Sequence, residues 1–154
     1  MKIRRGTKED IPVIVAMGDK FYEESNFEEG GFDPVRFAQT LGYACACDTH
    51  HVLVAENDDE IIGFIIFDIS RHYTKYPVSC MFLLYVDKDK RVHNAGKLLV
   101  SEAVRFATNK GCKYFYGSSS AGFDDDGRTD RGLRAIYKRQ GFEDNGFFMR
   151  KVLQ

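Results

Sequence analysis

A chain of 154 residues, 44% apolar and 29% charged, has material for one α/β domain whose core needs no disulfide staples. Its net charge of −1 supplies no global field to recruit nucleic acid or an anionic membrane, so any basic site must be local. The opening Met1-Lys-Ile-Arg-Arg5 is basic, yet no apolar run of signal length follows, and no stretch approaches the roughly 20 apolar residues of a membrane span. Cys45, Cys47, Cys80 and Cys112 fall inside apolar or helical patterns, which reads as reduced thiols of a cytoplasmic protein.

No internal repeat, low-complexity tract or linker breaks the chain, so a single domain over residues 1–154 is expected. A short strand at Ile3–Arg5 comes first, then Thr7 and Asp10 at the spacing of a helix N-cap with an acid in the first turn. Ile11, Val15 and Phe21/Tyr22 supply the buried stripe of that helix, with Pro12 tolerated early. After an acidic loop, Asp33-Pro34 caps a second helix in which Val35, Ala38, Leu41 and Cys45 recur at helical spacing. Val52–Ala55 and Ile61–Phe67 are β-branched and aromatic runs around Asn57-Asp-Asp-Glu60, a hairpin. Cys80–Val86 is apolar at every position, as in a central strand covered on both faces. A helix from Ala95 to Lys110 buries Leu99, Ala103 and Phe106 and stops at Gly111. Lys113–Tyr116 is a further strand. A helix over Gly132–Gln140 ends at Gly141, and Phe147–Leu153 is a last strand. Strand, helix and strand from Cys80 to Tyr116 imply a right-handed parallel crossover. The fold class is therefore α/β (α+β): a mixed, mostly antiparallel central sheet with helices on both faces.

The chemistry concentrates after the central strand, in Val86-Asp-Lys-Asp-Lys-Arg-Val-His-Asn-Ala-Gly-Lys97. A buried strand that turns tightly into a helix presents a ring of backbone N–H groups at the positive helix end, which suits a pyrophosphate. Gly96 permits close backbone approach, and Asn94 tolerates the left-handed conformation. Lys88, Lys90, Arg91 and Lys97 gather cations around that point, with His93 between them. Taken alone, the stretch also describes a charged, solvated loop that opens an amphipathic helix.

Arg91-Val-His-Asn94-Ala-Gly96 resembles the acyl-CoA-binding motif of the GNAT superfamily, (Arg/Gln)-x-x-Gly-x-(Gly/Ala), with Asn94 in place of the first glycine. Val86-Asp-Lys-Asp-Lys-Arg91 matches the usual approach to it, with Lys88 where proline is common. Tyr137-Lys-Arg-Gln-Gly141-Phe142 is similar to the second signature, Tyr-x-x-x-Gly-Phe, in the expected order along the chain. Ile3–Asp10 and Ala55–Phe64 resemble the family's opening strand and hairpin. Tyr22–Phe27 with Phe32-Asp-Pro34 resembles a subset often carried by bacteriophages. The resemblance spans nearly the whole chain and implies a GNAT-like acyl-CoA N-acyltransferase fold.

It also implies an acetyl-CoA-dependent N-acetyltransferase in which a primary amine, on a small molecule or a protein, attacks the thioester directly. The implied cofactor-binding residues are Leu84, Tyr85, Val86, Arg91, Val92, His93, Asn94, Ala95, Gly96 and Lys97. The central strand should splay at its end, so that backbone near Leu84–Val86 binds pantetheine and stabilises the oxyanion. Tyr137 is the implied general acid that protonates the departing thiolate; read without the resemblance, its ring packs on the core with its hydroxyl satisfied elsewhere. Proteins of this kind are commonly homodimers.

No carboxylate lies in Ser79–Val86, so a base must come from Glu23, Glu24, His72 or Asp124–Asp126, or from a water relay, which is preferred. The loop Ala121–Arg131 and the acids before it could present negative charge to a cationic acceptor. Cys45 and Cys47 with His50 and His51 are zinc-type ligands at the wrong spacing, so no metal is expected. Asp124–Gly127 lacks the rest of a calcium loop, and Gly117–Ser120 lacks a nucleophile elbow. The competing function is a catalytically silent CoA-binding or sensing module. A nucleotide-binding loop finds no Walker lysine or Rossmann fingerprint to support it.

Overall fold

The computed structural model describes residues 1–25, 31–71, 74–90, 94–118 and 128–144, with 128–130 described by backbone alone. Strands β1 (Lys2–Arg5), β2 (His50–Asn57), β3 (Glu60–Ser70), β4 (Val78–Val86) and β5 (Tyr114–Tyr116) lie side by side in that order. The first three pairings are antiparallel and β4–β5 is parallel. The β2–β3 hairpin closes through Asp58 (φ 50°) and Asp59 (φ 61°), two consecutive left-handed residues whose twist matches the flanking strands. Helices α1 (Ile11–Glu23) and α2 (Pro34–Ala46) cover one face, α3 (Ala95–Asn109) and α4 (Arg128–Arg139) the other.

Strand alternation divides the core in two. Val52, Val54, Phe64, Ile66 and Tyr85 point toward α1 and α2, where Ile14, Met17, Phe21, Leu41 and Ala44 meet them. Leu53, Ala55, Ile65, Phe67 and Met81 point the other way, onto Leu99, Val100, Ala103 and Tyr137. Helices thus lie on both faces of a mixed, mostly antiparallel sheet, as the sequence pattern indicates.

Four details differ from that pattern. The stripe of α1 is Ile14, Met17, Gly18 and Phe21, and Ile11, Val15 and Tyr22 flank it half-buried. In α2, Val35 is exposed because it projects from the helix face opposite Phe37, and Phe37, Leu41 and Ala44 do the packing. The last helix begins at Arg128 rather than Gly132. The strand covered on both sides is in fact β3, whose residues from Ile61 to Asp68 are all buried. On β4, Phe82 is 57% exposed and Leu83 and Leu84 are half-buried. The expected strand Phe147–Leu153 lies outside the described residues.

Candidate active site

The site is a fork between two parallel strands. β4 and β5 pair over Val78↔Tyr114, Ser79↔Phe115 and Cys80↔Tyr116, and β5 ends there while β4 runs on to Val86. Its β5-facing edge from Met81 onward has no strand partner among the described residues. A β-bulge sits at the apex: Phe67 pairs with Met81 and Ile66 with Leu83, which leaves Phe82 as the extra residue. A bulge bends its strand and tightens the local twist, here at the point where β4 parts from β5. β4 thus runs on past the end of β5, with Leu84–Val86, where the splay is expected, in the stretch beyond the last pair. Gly63, opposite Val86, lets β3 and β4 approach closely here, since a Cβ there would stand 2.7 Å from the Tyr85 carbonyl oxygen.

The open end of the fork leads into α3 through a turn organised by Asp87. That carboxylate is buried, receives the Asp89 amide at 3.0 Å and pairs with Lys20 Nζ at 2.8 Å. Burial alone would raise its pKa, but the Lys20 and Asp89 hydrogen bonds outweigh burial and hold it below the ordinary aspartate value. The backbone amide of Asp87 donates to Ile62, and Lys90 N–H returns to the Asp87 carbonyl. Asn94 then takes the left-handed conformation, φ 80° and ψ 4°, immediately before α3. This is the position of the motif's first glycine, and asparagine is one of the few residues that fill it at small strain. The first helical bond runs from Leu98 N–H to the Asn94 carbonyl at 2.9 Å. The amides of Ala95, Gly96 and Lys97 precede it at the positive end of α3. A Cβ on Gly96 would meet Ile136 at 3.6 Å and Val86 at 3.8 Å, ordinary contacts, in keeping with a motif position that admits alanine. Arg91, Val92 and His93 lie outside the described residues. Of the other cations, Lys88 pairs with Glu24 at 3.3 Å, Lys90 pairs with Glu60, and the Lys97 side chain is exposed.

Tyr137 stands at the apex on the α3 side. Its hydroxyl donates to the Ser118 carbonyl at 3.0 Å and lies 3.5 Å from Met81 Sδ, touching both arms of the fork. Phe142 packs on its ring at 4.9 Å. Burial pushes the phenol above its ordinary range, so it stays protonated at physiological pH. Gly117 makes room for it: a Cβ there would fall 2.8 Å from Tyr137 Cζ and 2.9 Å from its oxygen. The expected acid therefore sits where the strands diverge, seated by a glycine that sequence reasoning assigned no role.

The proposed bases are scattered. Glu23 is exposed; Glu24 accepts from the Tyr85 hydroxyl at 3.3 Å, four residues beyond Met81. His72 and Asp124–Asp126 lie outside the described residues. One carboxylate that sequence reasoning missed does lie at the apex. Asp68 on β3, 9% exposed, pairs in register with Cys80 and accepts its amide at 2.8 Å. Its signal was a single acid closing the apolar run Ile61–Phe67.

The zinc-type residues are apart: His50 faces α2, where Tyr43 meets its ring, and His51 is buried against Phe67 and Phe106 on the other face. Among the described residues no three His, Cys, Asp or Glu side chains are placed to hold a metal. A groove of about 410 Å³ runs beside α1 as far as the Asp87 turn, and its cations Arg4, Lys20 and Lys90 are each engaged by carboxylates. No helix among the described residues is long and apolar enough to cross a membrane.

Residues 19–142 match the family model described as the acetyltransferase (GNAT) family. No curated protein matches the chain at the level of sequence. Among solved structures, it is similar to an aminoglycoside acetyltransferase from an uncultured soil metagenomic sample in complex with sisomicin. The identity is 20% and the TM-score 0.70, over 99% of this chain and 96% of that one. It is similar to the aminoglycoside N-acetyltransferase AAC(6')-Iy in complex with CoA at 19% identity and TM-score 0.74, over 99% and 95% of the two chains. A ribosomal-protein-alanine N-acetyltransferase from Brucella melitensis biovar Abortus 2308 aligns at 14% identity and TM-score 0.71, over 100% and 99%. At these identities the likeness is one of fold.

Proposed function

The chain belongs to the acetyltransferase (GNAT) family, the acetyl-CoA-dependent N-acyltransferases, and on that premise we propose that it acetylates a primary amine by direct attack, with Tyr137 as general acid. The observation that carries this reading is the Tyr137 hydroxyl at the apex of the β4–β5 fork, between Met81 and Ser118. The amine attacks the thioester carbonyl from the side opposite the phenol. As the C–S bond breaks, the thiolate takes the Tyr137 proton, and backbone along Leu84–Val86 holds the pantetheine arm and the oxyanion. The amides at the start of α3, together with Arg91, Val92 and His93, hold the pyrophosphate. Protons shed by the nitrogen leave through water. No covalent acetyl-enzyme is required, and burial raises the pKa of Cys45, Cys80 and Cys112, which suits inert thiols. Four free cysteines support a working place in the reducing cytoplasm.

Thermal shift with acetyl-CoA, CoA and ATP tests the cofactor half, since a ligand stabilises the state that binds it. Stabilisation by both CoA species and not by ATP is expected; stabilisation by ATP alone would overturn it. Free-thiol release with a panel of amines tests the transfer half. A silent CoA-binding module gives the same thermal shift and releases no thiol with any amine.

A further inference from the structure

Direct attack needs an amine delivered to the fork from the face that Tyr137 leaves open. Strand alternation shows which residues occupy that face. Met81 and Phe115 point toward α3, and so does His51. Their neighbours Cys80, Tyr114, Tyr116 and His50 therefore point the other way, and so does Asp68, which is in register with both His50 and Cys80. Phe82, turned out by the bulge, lies flat on the His50 ring at 6.0 Å and 17°. Tyr114 and Tyr116 stand 6.1 Å apart on β5, and Tyr116 is paired with Cys80. Phe82 and Tyr116, at 57% and 42% exposure, present apolar ring surface to solvent beside a carboxylate that is 9% exposed.

Aromatic rings left open around a nearly buried anion match one kind of partner. Ring faces attract an organic cation and stack on flat apolar groups, and the carboxylate selects the positive sign. A platform of several rings around one carboxylate suits one charge on an apolar body better than a polycation, whose further charges would face rings instead of acids. We propose that this face of the fork is the acceptor site and that its substrate is an arylalkylamine: Asp68 receives the amino group, and Phe82, Tyr116 and His50 hold the ring. The amide that Asp68 grips belongs to Cys80, the residue next to Met81, whose sulfur lies 3.5 Å from the Tyr137 hydroxyl. The acceptor nitrogen and the proton donor for the leaving group thus stand on opposite sides of the same apex. The inference rests on the acetyltransferase reading and names its acceptor.

Free-thiol release from acetyl-CoA is measured with phenethylamine, spermidine and kanamycin, for the parent chain, Phe82→Ala and Asp68→Asn. Phenethylamine is expected to exceed the other two in kcat/KM by about tenfold or more. Phe82→Ala, at an exposed position, raises the KM for phenethylamine about tenfold with kcat nearly kept. Asp68→Asn keeps an oxygen for the Cys80 amide and lowers kcat/KM on the order of a hundredfold. Both variants retain the thermal shift given by CoA. If spermidine or kanamycin is the better substrate, or if Phe82→Ala leaves the phenethylamine KM unchanged, the acceptor assignment falls and acetyl transfer stands. If no amine releases thiol, the acetyltransferase reading falls and takes the assignment with it. Should Asp68→Asn fail to fold, the Phe82→Ala comparison decides alone.

Discussion

His51 makes the chain's stability depend on pH in a calculable way. The ring is 1% exposed, lies 4.6 Å from Phe106 and 5.3 Å from Phe67, and among the described residues neither of its nitrogens has a hydrogen-bond partner. Burial first, then the nearby charges of Arg5 and Lys110, pulls its pKa down from 6.5 to about 4. The unfolded chain therefore binds a proton in the window between those values while the folded chain does not. Stability is full above pH 6.5 and falls as the pH drops through the window. At 1.36 kcal/mol per pH unit, this group alone accounts for about 2 kcal/mol lost by pH 5 and roughly 3 kcal/mol at most below pH 4. Urea unfolding of the parent chain and His51→Phe at pH 7.5, 6 and 5 measures it. The variant should lose most of the slope between pH 7.5 and 5, and at pH 7.5 should match or exceed the parent, because an unpaired buried nitrogen costs about 1–3 kcal/mol. An unchanged slope in His51→Phe would refute the reasoning.

Four further expectations follow from the site. Tyr137→Phe should cut kcat about a hundredfold, read by thiol release, and leave acetyl-CoA affinity near that of the parent. Gly117→Ala places a methyl on the Tyr137 ring, so it should destabilise by about 1–3 kcal/mol in urea and slow turnover as the phenol leaves the apex. Asn94→Ala should cost about 1–2 kcal/mol in urea, while Asn94→Gly, with no left-handed penalty, should be at least as stable as the parent. Asp87→Ala removes the anchor of the turn leading into α3 and should weaken acetyl-CoA binding about tenfold by calorimetry, more than it weakens binding of pantetheine, which has no pyrophosphate.

Periodicity exposed most of the framework. The alternation of Val52–Ala55, the apolar Ile61–Phe67, the Gly111 and Gly141 stops and the crossover from β4 to β5 are local patterns, and the strands and helices lie where those patterns put them. Asn94 was legible as well, because tolerance of positive φ belongs to the residue itself. What escaped depends on pairs of elements. The bulge at Phe82 is a mismatch between β3 and β4 and cannot be read in either strand alone. Asp68 ends an apolar run, and only the register against Cys80 brings it to the apex. Val35 joins Leu41 only through successive three-residue steps that drift around the helix, so it ends about 120° from Leu41 and off the buried face. Gly117 looks like loop sequence until Tyr137 arrives across the fork.

Acetyl-CoA carrying a labelled acetyl group, incubated with the chain and phenethylamine, tests the central claim most directly. The label should appear in an amide in equal amount to the thiol released, and Tyr137→Phe should slow both together. Thiol released without labelled amide, or label retained on the protein as a covalent intermediate, would contradict direct acetyl transfer at the β4–β5 fork.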